Sequence, residues 1–291
     1  MAFWFIKNNK PSRALAVVVL WCLVAGLCAA TYGDSSTTRV VSLVPGLTET
    51  CFAIGAGPQV VGVSDYCAYP AEARTRPRVG GLSNPRLEQL LLLRPTVILL
   101  YRSQADFAHK LRILKIDCRL FALDRLSDIY EAAEQLGGIT GKRAEAHVLV
   151  RSMREQFEAM HARTSETAAV RAVVLVSRDP GDLRNLFQAG PKNFLGELMN
   201  LAGGSHAIAT DAAITKEQLI LGNPQVIIDL SGGESASTAE AKEAALRVWA
   251  QLPTIDAVKN HHVYYPAAAH ALVPGPYLVE AAKEFERMLH R

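Results

Sequence analysis

Cysteine is scarce in this chain: five in 291 residues, two of which, Cys22 and Cys28, lie in an apolar N-terminal run. No Cys-x-x-Cys pair occurs, which excludes zinc and iron–sulfur sites built on cysteine. Cys51, Cys67 and Cys118 remain, and an odd number in an oxidising compartment leaves at least one thiol unpaired. Cys51, among Phe52, Ala53 and Ile54, reads as a small buried hydrophobe, while a Cys67–Cys118 bridge stays open. Enzyme signatures are absent too. Gly55-Ala-Gly57-Pro-Gln-Val-Val-Gly62 places its third glycine too late for a dinucleotide fingerprint. Gly141-Lys142 lacks the upstream glycine of a phosphate loop, and no Gly-x-Ser-x-Gly elbow appears. Nor is there an excess of one charge. Lys7, Lys10 and Arg13 precede the apolar run, and removing these three from 31 basic residues leaves 28 against 28 acidic ones. A dedicated nucleic-acid binder calls for a basic face, so that class is set aside. With 49% hydrophobic and 20% charged residues, global disorder is excluded as well.

What is present begins with an export signal. The three cations and the apolar run Ala14–Ala30, ending in small residues, predict a signal peptide over residues 1–30, cut after Ala30, and a periplasmic protein. Residues 31–38 then form a short polar tether. The run is near the lower limit of roughly 17–25 residues for a membrane span, so an uncleaved anchor is the alternative. Ala25-Gly26-Leu27-Cys28 resembles a lipobox, although bulky Leu27 beside the cysteine argues against it.

The most informative feature is a module that occurs twice, 129 positions apart: Glu88-Gln89-Leu90 through Pro95 to Leu100, and Glu217-Gln218-Leu219 through Pro224 to Asp229. In each copy a short helix is closed by proline and followed by a continuous apolar strand. Strands at Arg39–Val44, Val60–Ser64, Val97–Leu100 and Arg119–Leu123 alternate with helices at Thr48–Ala56, near Phe107–Leu114 and at Ser127–Leu136. That alternation predicts an α/β lobe with a mostly parallel sheet over residues 39–140. Gly141–Arg163 is rich in Ala, Glu, Arg, Met and Leu and predicts one long rigid helix within a linking segment, 141–167. A second, similar lobe follows over 168–291, with strands at Ala172–Ser177, Val226–Leu230 and Val263–Tyr265 and helices at Lys192–Leu201, Lys216–Leu221, Ala239–Trp249 and Pro276–His290. Two similar lobes, each with a glutamate in the same place, point to a binding protein that docks on a two-subunit partner. Either glutamate alone would read as a helix-start acid, favoured by the dipole, with Thr215-Lys216-Glu217-Gln218 fitting a capping box.

Ligands of open α/β sheets bind beyond the carboxyl ends of the strands. Tyr66, Tyr101-Arg102 and Arg178-Asp179 stand there, with flat faces for a large planar ligand and guanidinium groups for carboxylates. His206 and His270 lie in loops at strand or helix ends, whereas His261-His262 reads as a solvated turn.

Arg39-Val-Val-Ser-Leu-Val-Pro45-Gly-Leu-Thr-Glu49, Val61-Gly-Val-Ser-Asp-Tyr66-Cys-Ala-Tyr69-Pro70, Val79-Gly-Gly81, Asn84-Pro-Arg-Leu-Glu88 and Val273-Pro-Gly-Pro276 together resemble the periplasmic substrate-binding proteins of ABC importers that have a helical backbone between lobes. The resemblance runs from Arg39 to the C-terminus, and the Tyr66–Pro70 segment is most similar to the cobalamin-binding members. It implies a monomeric, non-enzymatic carrier with no cofactor of its own, its cargo cobalamin or another metal chelate. Glu88 and Glu217 would then meet arginines of a permease dimer. The implied ligand set is Pro45, Tyr66, Leu82, Tyr101, Arg102, Arg178, His206 and His270. Leu82 and Ala212 stand where a cobalamin binder can carry tryptophan, and Val273 and Tyr277 where relatives often have arginine. Iron-siderophore or haem is the alternative cargo, with Tyr66, His206 or His270 as axial ligands. A two-lobed tetrapyrrole-processing enzyme and a scaffold without a ligand are the readings from other classes.

Overall fold

The computed structural model describes residues 38–232, 238–266 and 271–290; the expected signal peptide, nearly all of the tether and His270 lie outside them. The first lobe is built on β1 (Val40–Ser42), β2 (Val60–Val63), β3 (Val97–Tyr101) and β4 (Asp117–Phe121). All are parallel, in the order β2-β1-β3-β4. Every residue of the central β1 is buried, as a strand covered on both faces requires. Around the sheet pack α1 (Pro45–Ala53), α2 (Leu87–Leu92), α3 (Ala105–Ile113) and α4 (Leu126–Thr140). Helix α1 starts three residues earlier than expected because Pro45 opens it instead of merely ending the strand, its fixed φ and missing N–H suiting a first helical turn.

The linking helix α5 (Arg143–Thr164) has 22 residues, a length of roughly 33 Å at 1.5 Å per residue. It begins later than expected: Gly141, at φ 72°, caps α4 in a left-handed conformation that glycine adopts without a Cβ clash. Its buried residues, Ala146, Val150, Met153, Phe157, Met160 and Thr164, recur every three or four positions and form one apolar seam. That seam joins a single core running from Val40 and Leu99 in the first lobe, through Met153 and Phe157, to Val174, Ile228 and Phe285 in the second. A separate cluster fills the outer side of each lobe. Continuous packing across three elements is what makes the joint stiff.

The second lobe contains β5 (Val170–Ser177), β6 (Leu186–Ala189), α6 (Phe194–Leu201), β7 (Gly204–His206), β8 (Ala213–Ile214), α7 (Lys216–Gly222), β9 (Val226–Asp229), α8 (Ala239–Trp249), α9 (Asp256–Lys259), β10 (Val263–Tyr264) and α10 (Leu278–Leu289). Strands β10, β9, β5 and β7 pair in parallel, but β6 and β8 extend the sheet antiparallel, so this lobe is a modified copy of the first. The short β6 and β8 carry too little periodicity to announce themselves in the sequence.

The repeated module folds alike in both lobes. Leu90 and Leu219 are fully buried, Leu91 and Ile220 are 41% and 44% exposed, and Leu92 and Leu221 are 75% and 84% exposed. Each short helix ends in a left-handed residue, Arg94 or Asn223. The equivalence extends to an arginine that the sequence reading missed. Arg39 donates to the carbonyls of Leu93 and Arg94, and Arg171 donates to that of Asn223, so each neutralises a helix C-terminus.

The three cysteines among the described residues, Cys51, Cys67 and Cys118, are free and buried. Cys67 lies 3.1 Å from both the Thr48 and Ser64 hydroxyls in the shared core, whereas Cys118 belongs to the outer cluster of the first lobe, so the bridge left open by the sequence is not formed.

Candidate functional site

The loops after β1, β2, β3 and β4 converge at the carboxyl edge of the first sheet. Pro45, Tyr66, Leu82, Tyr101 and Arg102 all belong to this rim; the strand-end rule points to Tyr66, Tyr101 and Arg102, whereas Pro45 and Leu82 come with the family resemblance. Tyr66 is 68% exposed, and a side chain on Gly81 would bring a Cβ to 2.9 Å from its ring, so glycine lets the ring lie against this loop. Gly80, at φ 93°, makes the turn that presents Leu82, which is 40% exposed. Buried Gln104 pins this loop to β3: its amide donates to the Leu82 carbonyl at 2.9 Å, and its oxygen accepts the Tyr101 N–H at 3.0 Å. The Tyr101 hydroxyl donates to Asp124 Oδ1 at 2.7 Å, and Arg102 forms an ion pair with the other oxygen of the same carboxylate. Burial, reinforced by the Asp124 bond and charge, pushes the Tyr101 phenol up to about 12, so it stays a donor at neutral pH. Neither Gln104 nor Asp124 was singled out from sequence. Asp124 directly follows the expected strand Arg119–Leu123, and the rule that found Tyr66 would have found it.

In the second lobe Arg178 follows β5 but does not reach out as a free arm. Its Nε donates to Asp229 Oδ2 at 2.9 Å, with side-chain exposures of 5% and 0%. The Trp249 indole and the Ser231 backbone N–H complete the coordination of that carboxylate. The expected direct contact of Arg178 with an anionic ligand is thereby corrected: its charge is already neutralised inside the lobe. A pocket of about 370 Å³ opens beside it, lined by Arg178, Pro180, Ser231, Gly232 and Tyr265. Tyr265, 5.9 Å from the Arg178 guanidinium, is the aromatic of this rim that the sequence reading passed over.

His206 is a second correction. It pairs with Ala172 near the start of β5, so Ser177 at the rim is five residues, roughly 16 Å, further along the strand. Its ring is half-buried against α6, burial lowers its pKa, and Nε2 has no hydrogen-bond partner among the described residues. The His261-His262 turn is as read: His261, at φ 58°, is exposed just ahead of β10.

Two contacts join the lobes beside the rims. At the first, Gly46 of α1 meets Pro274, where a Cβ would stand 2.0 Å from the carbonyl oxygen, and Gly275 meets Glu49. Glu49 is 3% exposed, its Oε2 has no hydrogen-bond partner among the described residues, and burial pushes the carboxyl up to about 8. Tyr69 and Tyr277 pack edge to face across the same seam, with ring centroids 4.6 Å apart. At the second, Arg125 donates to Glu197 at 2.8 Å, the Leu126 N–H donates to the other oxygen at 2.8 Å, and the Phe194 N–H donates to the Asp124 carbonyl at 2.7 Å.

Glu88 and Glu217 are exposed and form no ion pair among the described residues. Thr215 caps α7 through Gln218, by bonds of 3.2 and 2.9 Å, so the capping box does not use the Glu217 carboxylate as its reciprocal partner.

Residues 40–268 match the family model described as periplasmic binding protein. An uncharacterized ABC transporter substrate-binding lipoprotein, YvrC, of Bacillus subtilis (strain 168) is 28% identical over 87% of this chain and 80% of its own length. The vitamin B12-binding protein of Vibrio parahaemolyticus is 26% identical over 80% of this chain and 82% of its own length. Among solved structures, the periplasmic haem-binding protein HutB of Vibrio cholerae superposes with a TM-score of 0.77 at 22% identity, covering 88% of this chain and all of that one, a likeness of fold alone. Members of the matched family bind ligands and are not enzymes. With two lobes of mostly parallel sheet on one helix, rims at their strand ends, and a family match over most of its length, the chain belongs to the periplasmic binding proteins.

Proposed function

We propose that this protein is the exported substrate-binding component of an ABC importer, made with a signal peptide over residues 1–30, that carries cobalamin or a related corrinoid between its lobes to the permease. The observation that carries the cargo class is the neutralisation of both strand-end arginines, Arg102 by Asp124 and Arg178 by Asp229. Each guanidinium already has a carboxylate beside it, Arg178 buried and Arg102 exposed, while Tyr66 presents an open aromatic face. Such a surface suits a large macrocycle whose periphery is mainly amide; an anionic siderophore calls for free guanidinium groups. The vitamin B12-binding relative supports the same reading. Haem is the second reading, favoured by the exposed Tyr66 phenol, an oxygen donor of the kind that can ligate haem iron.

Titrating the purified protein with cobalamin, haemin and a ferric siderophore, by calorimetry and absorbance, tests the cargo. Saturable cobalamin binding in the micromolar range or tighter is expected; its absence there rejects the corrinoid. A haem spectrum that collapses in Tyr66→Phe would establish the second reading.

Glu88 and Glu217 are the docking posts in this reading, meeting cations on the two permease subunits. Each stands beside a pair of exposed apolar residues, Leu91 and Leu92 or Ile220 and Leu221, in an arrangement repeated on both lobes. Reversing both to arginine is expected to bring uptake to background while cargo affinity stays within about twofold. Undiminished uptake in the double variant removes the docking role.

A further inference from the structure

The loop after β4 serves two masters through one residue. The Asp124 side chain holds both the Tyr101 hydroxyl and the Arg102 guanidinium at the first-lobe rim. The Asp124 carbonyl accepts the N–H of Phe194, the first residue of α6 in the second lobe, at 2.7 Å. The residue itself is fixed by its own backbone N–H, which donates to Asp128 Oδ2 at 3.1 Å, beside the Arg125 N–H on the same oxygen at 3.0 Å. Immediately after it, Arg125 and the Leu126 N–H grip Glu197 of α6. Three successive residues therefore tie α6 to the first lobe, and only the first of them also touches the rim.

We propose that Asp124 is a positioning residue that couples contact at the Tyr101–Arg102 rim to the seating of α6, and hence to the relation between the lobes. A cargo that engages the Tyr101 hydroxyl or the Arg102 guanidinium competes with the carboxylate of Asp124 for these donors. The peptide plane that follows carries the carbonyl bonded to Phe194, so a shift of the side chain is passed to the bond between lobes. The pairs are exposed to different degrees, with Arg102 at 62% and the Asp124 side chain at 35%, so the ion pair is open to competition from a ligand. The buried Arg178–Asp229 pair of the second lobe, at 5% and 0%, is closed to it. The coupling thus runs from the first lobe to the second through this loop. This inference rests on the rim being the cargo site.

Hydrogen exchange at the amides of Phe194–Glu197 in the full-length protein reads the coupling directly, because every side-chain substitution at position 124 leaves the carbonyl in place. Without cargo, Tyr101→Phe, Arg102→Gln and Asp124→Ala are each expected to speed exchange at Phe194, by about fivefold or more for Asp124→Ala. An exchange rate at Phe194 unchanged in all three variants overturns the proposal. With cobalamin added, the wild type is expected to change protection at Phe194–Glu197, and Asp124→Ala to bind more weakly and transmit no such change. Asp124→Glu, which keeps the charge, is expected to restore part of the transmitted change, which a merely structural defect would not do; transmission intact in Asp124→Ala also overturns the proposal. If cobalamin binds neither protein, the corrinoid reading fails, while the cargo-free comparison still decides the role of Asp124.

Discussion

Each lobe places an arginine directly after one of its strands, Arg102 after β3 and Arg178 after β5, and sends a glutamate across to the other lobe, but the two lobes handle these charges in opposite ways. In the first lobe the arginine pair is open to solvent and the crossing glutamate is buried without an ionic partner among the described residues: Arg102 with Asp124, and Glu49 against Gly275. In the second lobe the arginine pair is buried and the crossing glutamate is ion-paired: Arg178 with Asp229, and Glu197 with Arg125. The difference teaches that duplicated architecture does not duplicate electrostatics. Glu49 is buried with no guanidinium beside it among the described residues, and that burial raises its carboxyl to about 8.

The largest break of this symmetry is expected at the buried pair. Asp229→Ala leaves the Arg178 charge uncompensated and strips the Trp249 indole of its acceptor, which should cost about 3–5 kcal/mol in urea unfolding. The corresponding change at the open pair, Asp124→Ala, is expected to cost no more than about 1 kcal/mol, and equal losses at both sites would erase the contrast. Between these lies Glu197→Gln, which keeps a hydrogen bond to Leu126 but loses the charge, expected to cost about 1–2 kcal/mol with most of the effect surviving added salt.

Glu49 sharpens the comparison through pH. Burial raises its carboxyl from the ordinary 4.5 to about 8 in the folded chain, so between those values the folded state holds a proton that the unfolded state has released. The stabilisation linked to that proton is fully present below about 4.5 and is lost as pH rises through about 8. Measured between those limits, Glu49→Gln should remove the decline in stability that the wild type shows, while Glu197→Gln leaves it in place. A decline unchanged in Glu49→Gln would show that the acid is ionised in the folded chain. The smallest effect is expected from Glu88→Gln alone, an exposed side chain without an ion pair among the described residues, whose replacement should leave stability within about 0.5 kcal/mol.

Much of this architecture was legible in the chain because its signals are local. The apolar run of β3, the uninterrupted helix α5 and the proline that closes each Glu-Gln-Leu helix are set by residues within a turn or a strand of one another. Strand ends could be located from the same runs, and with them Tyr66, Tyr101 and Arg102. His206 went astray because a loop position was read without knowing which end of β5 it would pair beside. The antiparallel β6 and β8 were invisible because so short a strand is specified by its neighbours in the sheet and not by its own pattern.

By itself the sequence determined the two-lobe plan, the long helix between the lobes and the matched placement of Glu88 and Glu217, since periodicity, turn residues and repetition are properties of contiguous chain. Only the tertiary structure decided which arginines are spent on aspartates, which glutamate is buried and which residue ties the rim to the opposite lobe. Arg178 and Asp229 are 51 positions apart, Arg125 and Glu197 are 72 apart. Charge state depends on the burial and partners that such distant encounters create, and no local pattern encodes them.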